Sequence, residues 1–311
     1  MGRELPQSLE FTPKEIIEWD DGFIAVGIDG ELQKLDSNYT QIKKPINPFP
    51  TPIRNSTIID SKMISTWIDS ELMLARMAAF DLNNDFIQGV ERSELRVRRT
   101  LDSAIHPAGN IWSHVLDAEP LAIDSKNSSF TFVLWRKGIY NMTIDAYEKW
   151  RSVEPSWSKL SKYPRAEESV NVIMNGEVVE VWSRGLGVNR YDHESGKLIE
   201  QKIIEVDGFL LNVYHDSSNY LLQLNDNFIA LYDGEKIFLK AKLSGPINDA
   251  TWNERRQGWY ISGWREIIFI SKNEYQRKEI AELPVYYDSK RNIALCNDSN
   301  WYYVQLNDEE E

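Results

Sequence analysis

The stretch Thr57-Ile58-Ile59-Asp60-Ser61-Lys62-Met63-Ile64-Ser65-Thr66-Trp67 places two β-favouring runs on either side of a short polar break. Apolar and β-branched residues flanking a turn of this composition form a tight antiparallel hairpin. The same phrase recurs as Asp124-Ser125-Lys126 after Leu121-Ala122-Ile123, and as Asp288-Ser289-Lys290 after Val285-Tyr286-Tyr287. Related turns stand at Asp20-Asp21-Gly22, Asn175-Gly176, His215-Asp216-Ser217-Ser218 and Glu254-Arg255-Arg256.

Seven turns between Asp20 and Asp288 are separated by about 45 residues on average, the period of a four-stranded blade. The runs that follow the turns align as second strands: Phe23–Ile28, Met63–Trp67, Phe130–Trp135, Val178–Trp182, Tyr220–Leu224, Trp259–Trp264 and Ile293–Cys296. A third strand then ends on an apolar residue followed by Asp, at Leu35-Asp36, Phe80-Asp81, Ile144-Asp145, Tyr191-Asp192 and Tyr232-Asp233. Ile270-Ser271 and Leu306-Asn307 take the equivalent places in the last two units. This pattern predicts an all-β chain, a single domain over residues 1–311, forming a seven-bladed β-propeller of four-stranded antiparallel blades. The last unit is one strand short. Leu9-Glu10-Phe11 can supply the missing strand, so the expected closure joins the N-terminal strand to the C-terminal blade. Connections at about 82–110 and 146–167 exceed ~15 residues and read as insertions.

The apolar-Asp ending resembles the Trp-Asp dipeptide of WD40 repeats. Trp-Asp itself and a Gly-His pair before the first strand are absent from these positions, so the resemblance is one of superfamily and covers nearly the whole chain. It implies a propeller whose loops bind proteins.

Composition narrows the function classes. The chain has 11 Trp, 14 Tyr and 11 Phe, which suit stacked sheets better than helical bundles. Thirty-five basic residues against 48 acidic ones give a net charge of −13, and a field of that sign repels phosphate backbones. General nucleic-acid binding is therefore not expected, and no apolar run is long enough for a membrane helix. Cys296 is the only cysteine, which fits a reducing compartment, and with no signal-like segment after Met1 the expected location is cytoplasmic. The sequons at Asn38, Asn55, Asn127, Asn141 and Asn297 then read as chance matches.

Two sets of residues stand out near the second-to-third-strand turns, on the face that also carries the links between blades. Trp67, Trp135, Trp182 and Trp264 occupy similar places, and Arg136, Arg184 and Arg265 follow three of them. Trp and Arg dominate interface hot spots, which points to a partner-binding rim, while the same Trp column would equally fill the space between blades. Asp29, Asp69, Asp226 and Asp298 form the second set. Two carboxylates across a pocket are the minimum for glycoside hydrolysis, although turn Asp residues commonly only form turns.

Other motifs lead nowhere. Asp81-Leu82-Asn83-Asn84-Asp85 begins like a calcium loop, but Phe86 and Arg92 stand where Gly and Glu are needed. His106, His114, His193 and His215 lack ligand spacing, and Gly185-Leu186-Gly187 lacks the third glycine of a dinucleotide site. Arg96, Arg98 and Arg99 form a small basic cluster and Asp308–Glu311 an acidic tail, both read as solvated. No cofactor or metal is expected. The reading is a non-enzymatic interaction scaffold with protein partners; the alternative is a hydrolase or lyase, glycosidase-like, working through the four Asp residues.

Overall fold

A computed structural model describes residues 4–97 and 104–306. Its strands fall into seven antiparallel sheets of three or four strands, each running in chain order. By backbone contacts they group into two compact units, one formed by Met1–Gly27, Gln33–Pro45 and Leu211–Glu311, the other by Ile28–Leu32 and Ile46–Leu210.

The second unit holds three four-stranded sheets. The first of them is β4 (Ile53–Ile59), β5 (Lys62–Asp69), β6 (Leu74–Asp81) and β7 (Trp112–Val115). The next is β8 (Pro120–Lys126), β9 (Ser129–Leu134), β10 (Gly138–Thr143) and β11 (Glu148–Ser152). The third is β12 (Ser169–Asn175), β13 (Val178–Ser183), β14 (Gly187–Asp192) and β15 (Leu198–Ile203). The first unit holds the N-terminal sheet, β1 (Pro13–Trp19), β2 (Gly22–Gly27) and β3 (Leu32–Leu35), and three C-terminal sheets. These are β16 (Leu210–Asp216), β17 (Asn219–Leu224), β18 (Phe228–Tyr232) and β19 (Ile237–Lys242); then β20 (Asp249–Asn253), β21 (Gly258–Ser262), β22 (Glu266–Ser271) and β23 (Tyr275–Glu279); and finally β24 (Pro284–Asp288), β25 (Ile293–Cys296) and β26 (Trp301–Tyr303).

Turn chemistry explains the hairpins. Each turn needs a residue in the left-handed region, which Gly, Asn and Asp tolerate best. Asp60, Asn127, Gly176, Ser217, Gln257 and Asn292 fill that role between first and second strands. The second Asp-Ser-Lys turn is displaced from its expected place: β8 continues through Lys126, and the break falls at Asn127-Ser128. Asp124 is thereby a strand residue, and its carboxylate accepts the Met174 N–H at 2.7 Å. The apolar-Asp endings have a local cause too. The Asp36 carboxylate accepts N–H bonds from Asn38 and Thr40, Asp192 from Ser195, and Asp233 from Glu235 and Lys236, so each carboxylate folds the chain out of its third strand.

Burial runs from complete to slight across each sheet. Second strands such as β2, β9 and β21 are buried along their whole length, whereas outer β15 and β23 are mostly exposed. A strand packed on both faces is mostly apolar, and these carry only small hydroxyl residues besides, Ser129 and Thr131 in β9 and Ser262 in β21. Five inner strands carry a register shift near their starts, at Pro13, Ile53, Pro120, Ser169 and Pro284. Proline is tolerated at such a bulge, where no ladder N–H is needed.

Two expectations are corrected. Leu9–Phe11 forms no strand: Leu9 N–H donates to Ser299 O at 2.9 Å, and Ser299 Oγ donates to Phe11 O at 2.7 Å. The segment is tied to the β25–β26 turn, and Leu9 and Phe11 act as apolar pegs in a cluster with Phe23, Tyr39, Leu295 and Trp301. The last sheet keeps three strands. The second insertion also begins later than expected, because residues 148–152 are the regular outer strand β11 and the long link is 153–168. The first insertion carries a short helix, α1 (Arg92–Val97); Arg98, Arg99, the Arg96 side chain and the acidic tail lie outside the described residues. No helix is long and apolar enough to cross a membrane among the described residues.

Candidate partner-docking site

The second unit holds three cavities, each lined by a second-to-third-strand turn and the adjoining links between sheets. The first, about 550 Å³, is walled by Ile68, Met73, Leu74, Leu116 and Ala118. The second, about 660 Å³, is polar and includes Glu119, Glu154, Arg165, Glu167 and Glu168. The third, about 550 Å³, includes Leu160, Tyr163, Leu186, Ile203 and Phe209. Trp135, Arg136 and Glu119 line both the first and the second, so the β9–β10 turn is the ridge between them.

That ridge is held rigidly. Lys137 N–H donates to Leu134 O at 3.1 Å, Arg136 sits at φ 57°, and Trp135 N–H donates to Glu119 O on the β7–β8 link at 2.9 Å. The Trp135 side chain is left 43 % exposed, with the Arg136 guanidinium 4.5 Å above its ring. Stacking on an indole orients a guanidinium without consuming its N–H donors.

The surrounding charges are largely neutralised in pairs. Arg92 lies 2.7 Å from buried Asp69, and Lys137 lies 2.7 Å from Asp117, holding that carboxylate below its usual range. Arg165 and Arg184 lie 2.9 and 3.2 Å from Glu168, and the Arg165 hydrogen bond is the main reason its pKa is low. Arg136 has no carboxylate within 4 Å among the described residues.

The Trp column is not uniform. Trp67 and Trp182 are 0 % and 1 % exposed; Trp67 meets Phe49 and Phe80 edge-on, so both are packing residues rather than partner contacts. Trp135 and Trp264 stand one or two residues beyond their strands and are exposed. In the first unit Trp264 lies against Gly245, where an added Cβ would come within 2.3 Å of Trp264 Cβ and 2.6 Å of the indole Cγ, and Arg265 repeats the left-handed φ of 57°. Arg184 is committed to Glu168.

The four Asp residues are placed differently. Asp29 is an exposed turn residue, Asp69 is paired with Arg92, and Asp226 is exposed at φ 57°. Asp298 accepts hydrogen bonds from Asn300 and Tyr302, which outweigh its partial burial and keep its pKa low. Only Asp69 lines one of the three cavities. Ser129 Oγ and His193 Nε2 are 2.8 Å apart, a nucleophile–base distance, but both residues are buried and cannot meet a substrate. The Asp81 carboxylate is occupied by Asn83 and Asn84. No group of three metal-ligating side chains occurs among the described residues.

Two carboxylates escaped sequence reasoning. Burial raises Asp124 to about 6 and Asp249 to about 7, the nearby Glu15 charge adding to the second shift. Both lie on first strands; Asp124 belongs to an Asp-Ser-Lys phrase that reads as a turn and not as a buried carboxylate, and no local motif marks Asp249.

No protein-family model matches the chain, and no curated protein sequence does. Solved structures do. The β-propeller domain of Cps50 (Swd1) from Myceliophteria thermophila is 10 % identical with a TM-score of 0.67, over 97 % of this chain and 99 % of that one. The WD40 β-propeller domain of Doa1 is 10 % identical with a TM-score of 0.61, over 95 % and 93 %. BamB from Moraxella catarrhalis is 11 % identical with a TM-score of 0.55, over 97 % and 86 %. At such identities the likeness carries the fold alone, and with the seven sheets it shows that this chain is a seven-bladed β-propeller.

Proposed function

We propose that the protein is an interaction scaffold and that the Trp135–Arg136 ridge is a principal contact for a protein partner. The observation that carries this reading is an exposed indole and an unpaired guanidinium, fixed on a rigid turn between two cavities. Aromatic and Arg side chains beside concave, water-excluding pockets supply most of the energy of protein interfaces. The WD40-like fold supports the reading by analogy, since such propellers present loops to proteins. Trp264 and Arg265 offer a second, similarly built contact in the first unit. The proposed setting is the cytoplasm, in keeping with one buried cysteine whose thiol burial pushes up to about 12; cell fractionation checks it. Placement gives the hydrolase alternative no support, because the four Asp residues do not share one of these cavities.

The test is quantitative cross-linking from native extract with wild type and Trp135→Ala, both confirmed as folded by thermal melting. A stoichiometric partner whose affinity falls about 30-fold or more in Trp135→Ala supports the proposal. Recovery of the same partner at equal affinity by the variant overturns the ridge as its contact.

A further inference from the structure

Resting on the docking reading, we infer that the ridge accepts an extended peptide segment of a protein partner that carries a carboxylate between a basic side chain and a bulky apolar side chain. The apolar end follows from the first cavity, whose walls are Ile68, Leu74, Leu116, Ala118 and the Trp135 ring, with Met73 88 % exposed at its mouth. The acidic centre follows from charge. Asp69 and Asp117 at that cavity are each paired in charge with a cation at 2.7 Å, and Glu119, shared with the second cavity, is the one carboxylate of its lining without so close a cation. Arg136 is the uncompensated cation, and its planar donors, presented above Trp135, suit a carboxylate.

The basic end follows from the opposite cavity. Glu168 there is neutralised by Arg165 and Arg184, and Glu167 accepts the Trp157 N–H at 2.6 Å. Glu154 has no cation within 4 Å among the described residues, and the nearest cation to Glu119 is Arg54 at 3.9 Å. The field on that side is negative, and on the other it is neutral to positive. Because both cavities share the ridge, an occupant filling them crosses it, which fits a chain passing through rather than a chain end. An extended chain presents every second side chain to the same face, so the three anchoring side chains belong at alternate positions of the segment, with the carboxylate at the middle one over the ridge.

Capped synthetic peptides with the acidic residue between the basic and apolar ones, with the acidic and basic residues exchanged so that the basic one is central, and with an Asp-to-Asn replacement at the centre are titrated by fluorescence anisotropy against the full chain. The inference predicts at least about tenfold weaker binding for the exchanged and Asn peptides. It also predicts that Arg136→Gln erases the Asp-over-Asn preference while apolar binding persists, and that Glu154→Gln weakens selection of the basic residue. Equal binding of the acid-centred and base-centred peptides, or no binding by any peptide up to millimolar concentration, overturns the inference. If Trp135→Ala still abolishes such equal binding, the docking reading survives that failure; binding indifferent to Trp135→Ala sinks both. Concentration-dependent self-association that Trp135→Ala removes would assign the ridge to a second copy and also overturn the inference.

Discussion

Gly22 opens β2 at φ +146°, and a Cβ placed there would stand 2.3 Å from Leu35 O and 2.9 Å from the Asp36 carbonyl carbon. Both obstacles are backbone, so a side chain can be accommodated only by moving β3. Gly22→Ala is expected to cost about 3 kcal/mol, read as a lower urea midpoint with an unchanged slope. At the opposite extreme, Asp233→Ala removes two exposed hydrogen bonds to backbone N–H groups and should cost no more than about 1 kcal/mol in the same measurement. The Asp at the end of a third strand was legible in the sequence where its role is local: at Asp36, Asp192 and Asp233 the carboxylate folds back on N–H groups two to four residues ahead, whereas Asp145 pairs with Lys62. The Trp column was not. Trp182 is buried because β13 continues through Ser183, whereas Trp135 is exposed because β9 stops at Leu134 when Arg136 turns left-handed. Nothing in either run of residues announces where pairing ends; the neighbouring strands decide it.

At the scale of elements, hairpins were the readable unit, since two adjacent runs and the turn between them suffice to define one. The N-terminal segment shows where that logic stops. Leu9-Glu10-Phe11 has the alternation of a strand, but its partners are 290 residues away and offer a turn rather than an edge. Its contribution is therefore apolar burial, not strand pairing. Phe11→Ala and Leu9→Ala are each expected to lower stability by about 3 kcal/mol, as losses of buried large side chains do. Glu10→Ala should leave stability within about 0.5 kcal/mol, because Glu10 is exposed. A strand completing the last sheet would instead make its amides among the slowest to exchange with deuterium. The prediction is that Glu10 exchanges quickly while Leu9, bonded to Ser299 O, is protected.

For the whole molecule, the carboxylates divide into two groups with opposite effects on stability. Hydrogen bonds from Ser195 and Lys236 hold Asp192 and Asp233 below their usual range, and ion pairing does the same for Asp117 and Glu168. These groups favour the folded state above about pH 4 and lose that contribution as pH falls through their lowered values. Asp124 and Asp249 run the other way. With folded values near 6 and 7, they bind protons more tightly folded than unfolded, so their effect on stability worsens as pH rises from about 4 to 7. The net charge of −13 reinforces that trend through self-repulsion. The melting temperature is therefore expected to peak between about pH 4.5 and 6 and to decline on both sides. Salt separates the two causes of the alkaline decline, since repulsion among exposed charges is screened at high ionic strength and the burial of a carboxylate is not. Asp249→Asn should raise the melting temperature at pH 8, leave it nearly unchanged at pH 5, and retain that difference in molar salt. An Asp249→Asn gain of equal size at both pH values would show that the carboxylate is ionised throughout, and the assigned upward shift would be wrong.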